Sequence, residues 1–308
     1  MNELTDTVKY YKDCCLCPRK CHADRTAGKT GFCGVADKIT AAKAYRHMWE
    51  EPCLTGRHGS GTVFFTGCNL RCIFCQNSAI SSGGEGTYIS EERLSEIFLE
   101  LQEQKASNIN LVTAVCYIPH VRNAIIRAKR SGLSIPVVYN SGGYESPVSL
   151  KMLDGLIDIY MPDLKYMSSE LSASYSKASD YPEVAKKAIA EMFSQTGPVV
   201  MSEDGMMKRG VLVRHLVLPG CVPDSKRVLR YLHDTYGNDI YISIMNQYTP
   251  VPQVADHPSL SKKVSEDEYK RVLDFAVSIG IENGFTQEGE AVSESFIPKW
   301  DLSGIISR

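Results

Sequence analysis

From residue 62 onward the chain alternates short β-branched or apolar runs with stretches of helical periodicity, and few folds accept that alternation. Residues 62–66, 110–113, 136–139, 157–161, 211–218 and 240–244 read as strands. Between the first two, Ser90 is placed to cap a helix whose first turn carries Glu91 and Glu92. Its Leu94, Ile97, Phe98 and Leu101 fall on one face at i, i+3, i+4 and i+7. Residues 120–129, a segment carrying Val228, Leu229 and Leu232, and residues 269–277 read as further helices. Such βα units wind around a parallel sheet, so the expected fold class is α/β. Six strands with crossovers predict a partial, TIM-like (β/α)6 barrel with its chemistry at the carboxyl ends of the strands. Residues 200–210, which contain Glu203-Asp204-Gly205, read as a hairpin insertion.

The first 60 residues show no such alternation. Rich in Cys, Gly, Lys and Arg, residues 1–60 read as a small metal-dependent appendage to a barrel domain at 61–308 that ends in a C-terminal extension. A chain of 308 residues with 43% apolar and 23% charged residues is long enough for that plan. Its formal charge of −2 provides no basic field for nucleic acid or an anionic membrane. No run approaches the roughly 18 apolar residues of a membrane span, and the N-terminus is polar and charged, unlike a signal peptide. The expected location is cytoplasmic.

In that reducing compartment, clustered cysteines are metal ligands before they are disulfides. Eleven cysteines are present: Cys14, Cys15, Cys17, Cys21 and Cys33 form one cluster, Cys68, Cys72 and Cys75 a second. Cys53, Cys116 and Cys221 stand alone and read as small buried hydrophobes. Gly67-Cys68-Asn69-Leu70-Arg71-Cys72-Ile73-Phe74-Cys75-Gln76-Asn77 sets three thiols at C-x3-C-x2-C directly after a strand. Three ligands are one too few for a four-iron cubane, which leaves one iron open to a substrate. The alternative is a zinc site completed by a fourth partner from elsewhere; zinc prefers C-x2-C pairs and a closed tetrahedral shell, and the x3 spacing, the preceding strand and the βα series weigh against it.

C-x3-C-x2-C with an aromatic residue, Phe74, before the last cysteine resembles the radical SAM superfamily. Within it, three further segments resemble the pyruvate formate-lyase activating enzyme-like branch, in particular longer members with an N-terminal CxLCPRxC segment. They are Cys14-Cys15-Leu16-Cys17-Pro18-Arg19-Lys20-Cys21, Phe74-Cys75-Gln76-Asn77 and Val213-Arg214-His215-Leu216-Val217-Leu218-Pro219. The resemblance implies a [4Fe-4S] cluster on Cys68, Cys72 and Cys75 whose open iron takes the amino and carboxylate groups of S-adenosylmethionine (SAM). Reductive cleavage of SAM would then give a 5′-deoxyadenosyl radical that abstracts hydrogen. It also implies a low-potential electron donor such as flavodoxin or ferredoxin, and a glycyl radical enzyme or other protein as the substrate.

The same resemblance assigns cofactor-binding positions. Gly83-Gly84-Glu85 precedes the first helix, where it reads as a loop and not as the Gly-Gly-Glu segment that follows the second strand in relatives. Thr113 and Ala114 occupy that later place. Asn140 and Ser141 stand where activating enzymes have an Asp-Thr-Asn-Gly-like turn, and Asp158 to Lys165 resembles their Asp-x-Lys strand end. By that likeness Asn140, Ser141, the Met161 carbonyl and Asp163 would hold a monovalent cation beside SAM's carboxylate, although Asn140 lacks the charge of Asp. A strand-end Asp163 paired with Lys165 is the plain alternative. Arg214, inside an apolar strand, needs a partner, either SAM's carboxylate or ribose, or a structural carboxylate. His215 points to the opposite face and reads as a hydrogen-bonded core or interface residue. No catalytic side chain beyond the cluster ligands is indicated.

Cys14, Cys17, Cys21 and Cys33 fall within 20 residues, with Gly28, Gly31 and Gly34 letting the loop fold back. Four thiols close a shell for a structural zinc or for an auxiliary iron–sulfur cluster. Cys15, beside a ligand, would point away. A non-catalytic iron–sulfur electron-transfer or sensing protein is the alternative to an enzyme.

Overall fold

The computed structural model describes residues 3–82, 84–287 and 298–306. Its strands are β1 (Ile39–His47), β2 (Ser60–Phe65), β3 (Thr87–Ile89), β4 (Ile109–Val112), β5 (Val137–Ser141), β6 (Ile159–Pro162), β7 (Val200–Met201), β8 (Met207–Leu216), β9 (Tyr241–Met245) and β10 (Gly284–Thr286). One sheet runs β10-β9-β8-β6-β5-β4-β2-β1-β3, and β7 pairs with β8 off that path. The pairings β2-β4, β4-β5, β5-β6, β6-β8, β8-β9 and β9-β10 are parallel. The six strands expected from the sequence are therefore all present and consecutive, as in a partial (β/α)6 barrel.

The edges differ from the sequence expectation. On one side β10 extends the parallel series by one strand; on the other, β1 and β3 add antiparallel strands. Residues 39–47 show no strand pattern because β1 buries small side chains on both faces, Ala41 and Ala44 in one cluster and Ala42 in another. Alanine carries little strand preference, so burial by β2 decides the conformation. The first sixty residues thus supply a sheet strand as well as the cysteine-rich segment. The hairpin at 200–210 is present: β7 pairs antiparallel with β8 around a turn at 202–206, and β8 starts at Met207, four residues before the sequence suggested.

Helices cover the outer face. In Glu91–Glu103 the Ser90 side chain caps the Arg93 N–H, and Leu94, Ile97, Phe98 and Leu101 are buried as the periodicity required. Ile118–Arg130, Val222–Tyr236 and Glu266–Ser278 match the other expected helices. Helix Tyr181–Thr196, between β6 and β8, had no counterpart in the sequence reading. Its inner face is built of Ala185, Ala188, Ile189 and Met192, too alanine-rich to stand out by apolar spacing. Between β5 and β6 the crossover is reduced to the single turn Pro147–Leu150 and a following 3-10 turn. Among the described residues, no helix is long and apolar enough to cross a membrane.

The turns that begin at the carboxyl ends of β2 and β5 depend on glycine. Gly143 has φ +80°, and a Cβ there would lie 2.1 Å from the Asp163 carbonyl oxygen. The β5 and β6 ends can approach one another only because that Cβ is absent.

Candidate active site

The carboxyl ends of the parallel strands converge on one side of the sheet, and the cysteine motif begins there. After β2, the Thr66 N–H bonds the Thr40 carbonyl and the Gly67 N–H bonds the Ile80 carbonyl, which turns the chain sharply. Gly67, at φ +90°, leaves its Cβ position to Val35 Cγ1, at 2.7 Å. The loop then brings Cys68, Cys72 and Cys75 to the wall of a cavity of about 190 Å³.

Each sulfur has a polar neighbour. The Leu70 N–H donates to Cys68 Sγ at 3.4 Å, and the Ser81 hydroxyl donates to Cys75 Sγ at 3.4 Å. Cys72 Sγ lies 2.9 Å from Ser176 Oγ, which is itself 2.9 Å from the Tyr166 hydroxyl. Burial pushes the Cys72 thiol up to about 12 and raises Cys68 as well, so a bare thiolate is disfavoured unless a metal shares its charge. Phe74 is buried and packs edge-on against Tyr175 and Tyr248, which fixes the last turn of the motif.

These residues fit a four-iron cluster with one open iron. The cavity wall offers three thiols but no fourth thiol or imidazole. Three thiolates on one zinc would sit about 3.8 Å apart, given Zn–S bonds of about 2.3 Å. Among the described residues, the group with three ligand atoms mutually within 4.8 Å is Asp13, Cys15 and His22, so the motif's sulfurs stand further apart than one ion requires. Sulfurs that bind separate irons of a cubane need that wider spacing.

The other strand ends supply a polar wall. Thr113 follows β4, Asn140 and Ser141 end β5, Asp163 follows β6 and Arg214 lies on β8, and all five face the same cavity. Met161 is buried on β6 opposite Asn140. Arg214 donates from Nε to Asp163 Oδ1 at 3.0 Å and from Nη2 to Asn140 Oδ1 at 2.8 Å. Its third partner is Glu50, at 3.4 Å, and Lys165 pairs with the other Asp163 oxygen. Burial alone would raise Asp163, but Lys165 and Arg214 together outweigh it and hold the carboxyl below its usual range. The same exchange raises Arg214: burial lowers it, while Asp163 and Glu50 more than compensate.

The chain-internal partners of Asp163 and of Arg214 therefore lie in one network. Asp163 pairs with Lys165, and Arg214 pairs with carboxylates of the chain at the edge of the cavity. Glu50 is the member that the sequence did not reveal. It lies just after β1 in a stretch without pattern, and it accepts from Asn110 Nδ2 at 2.9 Å as well as from Arg214. Glu51 beside it is pushed up to about 7 by burial.

Comparison with known proteins adds the family context. Residues 55–113 match the family model described as a 4Fe-4S single cluster domain, the stretch that contains all three motif cysteines. An uncharacterized protein of Methanocaldococcus jannaschii is 24% identical over 274 residues, covering 86% of this chain and 75% of that protein. The crystal structure of a radical SAM methyltransferase from Sphaerobacter thermophilus superposes with a TM-score of 0.50 at 14% identity, over 74% of this chain and 66% of that one. The fold is that of a radical SAM barrel. Streptococcus suis SuiB bound to precursor peptide SuiA is also similar, with a TM-score of 0.49 at 12% identity, over 72% of this chain but only 46% of SuiB. The chain thus spans less than half of SuiB and about two thirds of the methyltransferase.

The Gly83 position lies outside the described residues; Gly84, at φ +79°, belongs to a loop, and the Glu85 carbonyl accepts from the Thr66 hydroxyl. His215 is buried with Nδ1 2.8 Å from the Leu164 carbonyl, as expected of a core histidine. Cys14, Cys17, Cys21 and Cys33 come together around one small cavity, and Cys15 lies outside it, exposed. Cys116 is buried as expected, yet it lines that same cavity, which its isolation in the sequence concealed. Glu145 is fully buried with neither oxygen hydrogen-bonded, and burial pushes it up to about 8.

Proposed function

We propose that this chain is a radical SAM enzyme that binds a [4Fe-4S] cluster through Cys68, Cys72 and Cys75 and cleaves SAM reductively. One observation carries the reading: three partly buried thiols, with no fourth thiol or imidazole beside them, face a cavity onto which the ends of β4, β5, β6 and β8 also open. When bound, the cluster supplies one electron to the sulfonium of SAM, which yields methionine and a 5′-deoxyadenosyl group able to abstract hydrogen.

The chain's own residues support that chemistry. The Leu70 N–H and the Ser81 hydroxyl donate to the ligand sulfurs, and Ser176 lies in hydrogen-bonding contact with Cys72. Phe74, Tyr175 and Tyr248 pack an aromatic wall beside the motif. Thr113, Asn140 and Ser141 offer backbone and side-chain polar groups for SAM's amino and carboxylate ends, and Arg214 holds Asn140 and Asp163 in place for them. A second cavity of about 250 Å³ shares Cys72, Cys75, Asn140 and Arg214 with the first and opens past Trp49 and Gln247, giving the substrate a route to SAM.

The finer reading, abstraction from a glycine of a partner protein with electrons from a flavodoxin or ferredoxin, rests on the sequence resemblance to the activating enzymes. SAM titrated into the anaerobically reduced, iron-loaded protein should change the electron paramagnetic resonance (EPR) signal of the Cys68/Cys72/Cys75 cluster. An unaltered signal at saturating SAM would favour the electron-transfer alternative. Deuterium carried from a labelled candidate glycine into 5′-deoxyadenosine would then identify the substrate.

A further inference from the structure

We infer that Cys14, Cys17, Cys21 and Cys33 hold a second iron–sulfur cluster, with the buried Arg25 as its counter-charge. This inference stands independently of the proposed SAM chemistry. The four sulfurs line a small, almost wholly apolar cavity together with Leu16, Val115 and Cys116. A cavity walled by thiols and closed by aliphatic side chains has nothing to recognise in a polar small molecule, but it suits a metal that binds sulfur.

The second observation is Arg25. Its residue is 1% exposed, and among the described residues it makes no ion pair with a carboxylate. The guanidinium donates to the Ala36 carbonyl, to the Cys116 carbonyl at 3.0 Å and to Cys14 Sγ at 3.7 Å, and its carbon stands 4.6 Å from the centre of the Tyr11 ring. Burying a cation without a counter-anion is strongly unfavourable. The thiol-lined cavity is where negative charge can enter, because four thiolates on an iron–sulfur core carry a net negative charge. A backbone donor points the same way. The Phe32 N–H reaches Cys21 Sγ at 3.3 Å, and a Cβ on Gly31 would lie 2.9 Å from that sulfur, so Gly31 permits the close approach.

Spacing selects iron–sulfur over zinc. Four thiolates on zinc would lie about 3.8 Å apart. No three of these sulfurs close to within 4.8 Å of one another among the described residues. In this the N-terminal set behaves like Cys68, Cys72 and Cys75, whose spacing suits separate irons. The two sets are also neighbours. Arg19, between Cys17 and Cys21, donates from Nε to the Asn69 carbonyl at 2.9 Å, and the Gly67 Cβ position lies 3.1 Å from the Cys33 carbonyl oxygen.

Full-length protein loaded anaerobically with iron and sulfide, then desalted and assayed for iron, sulfide and zinc, tests the inference. The wild type should carry about eight irons, the count for two four-iron clusters. The triple variant Cys68→Ala, Cys72→Ala, Cys75→Ala should keep about four, with an EPR signal indifferent to SAM. Cys17→Ser with Cys21→Ser should also keep about four, with the SAM response preserved, and Cys15→Ser should lose none. A wild type with about four irons and one zinc, or an iron-free but folded triple variant, would overturn the assignment. If the triple variant does not fold, the wild-type count and the Cys17/Cys21 variant decide.

Discussion

Replacing Arg214 tests whether its guanidinium serves the chain as well as the cofactor. Arg214→Ala removes the partner of Asp163 at 3.0 Å, of Asn140 at 2.8 Å and of Glu50 at 3.4 Å. The three ionised side chains keep only 17%, 14% and 10% of their surface exposed, so the loss is felt in a mostly dry setting. Breaking a buried pair from one side costs about 3 to 5 kcal/mol. Asp163 retains Lys165 and Glu50 retains Asn110, which places the expected loss at the low end, about 3 kcal/mol. At roughly 2 °C per kcal/mol for a chain of this size, the melting temperature should fall by about 6 °C. Asp163→Asn should cost a similar amount, and the double variant only about 4 kcal/mol, because the two changes remove one shared interaction. Denaturant unfolding of the four proteins at equal iron content, read by circular dichroism, gives the cycle. An Arg214→Ala protein that melts like the wild type while binding SAM tenfold more weakly would refute the network and leave the arginine purely a ligand residue.

Glu145 makes stability depend on pH in the opposite sense to a paired carboxylate. Its folded-state value, about 8, lies above the ordinary 4.5, so the protonated form is favoured in the fold; its contribution is intact below about pH 4.5 and is lost as pH rises through 8. At about 1.4 kcal/mol per unit the full effect is on the order of 5 kcal/mol, and Glu145→Gln should match the wild type near about pH 5 yet outlast it in urea above pH 8; parallel curves for the two proteins would contradict this. Gly67→Ala forces a Cβ to within 2.7 Å of Val35 at φ +90° and should cost about 1 to 3 kcal/mol and lower the iron retained by the barrel motif, as iron assay would show. Gly143→Ala, whose Cβ would collide with the Asp163 carbonyl, should weaken SAM binding in a calorimetric titration more than it alters iron content; unchanged affinity would contradict that placement.

The parallel core was legible because its strands are buried on both faces and its helices are amphipathic. Residues 62–65 lie in a β2 buried throughout, and Leu94 to Leu101 repeat at helical spacing. Alanine hid the rest, since β1 and helix Tyr181–Thr196 bury small side chains that carry no hydrophobic period. The three-cysteine motif was legible because its spacing is local, and so was the strand-end pairing of Asp163 with Lys165, two residues apart. Glu50, Arg25 and Cys116 were not, because their roles arise from contacts between distant segments: Glu50 meets Arg214 across 164 positions, and Arg25 meets the Cys116 carbonyl across 91. No pattern in one sequence encodes such pairs.

Product analysis under strict anaerobiosis measures directly whether Cys68, Cys72 and Cys75 support reductive cleavage of SAM. Iron-loaded wild-type protein given SAM and dithionite should release 5′-deoxyadenosine and methionine, while Cys72→Ala, lacking one of three protein ligands, should release neither above the level of buffer alone. A fully loaded wild type that forms no 5′-deoxyadenosine, or a Cys72→Ala variant that forms it at a comparable rate, would contradict the account.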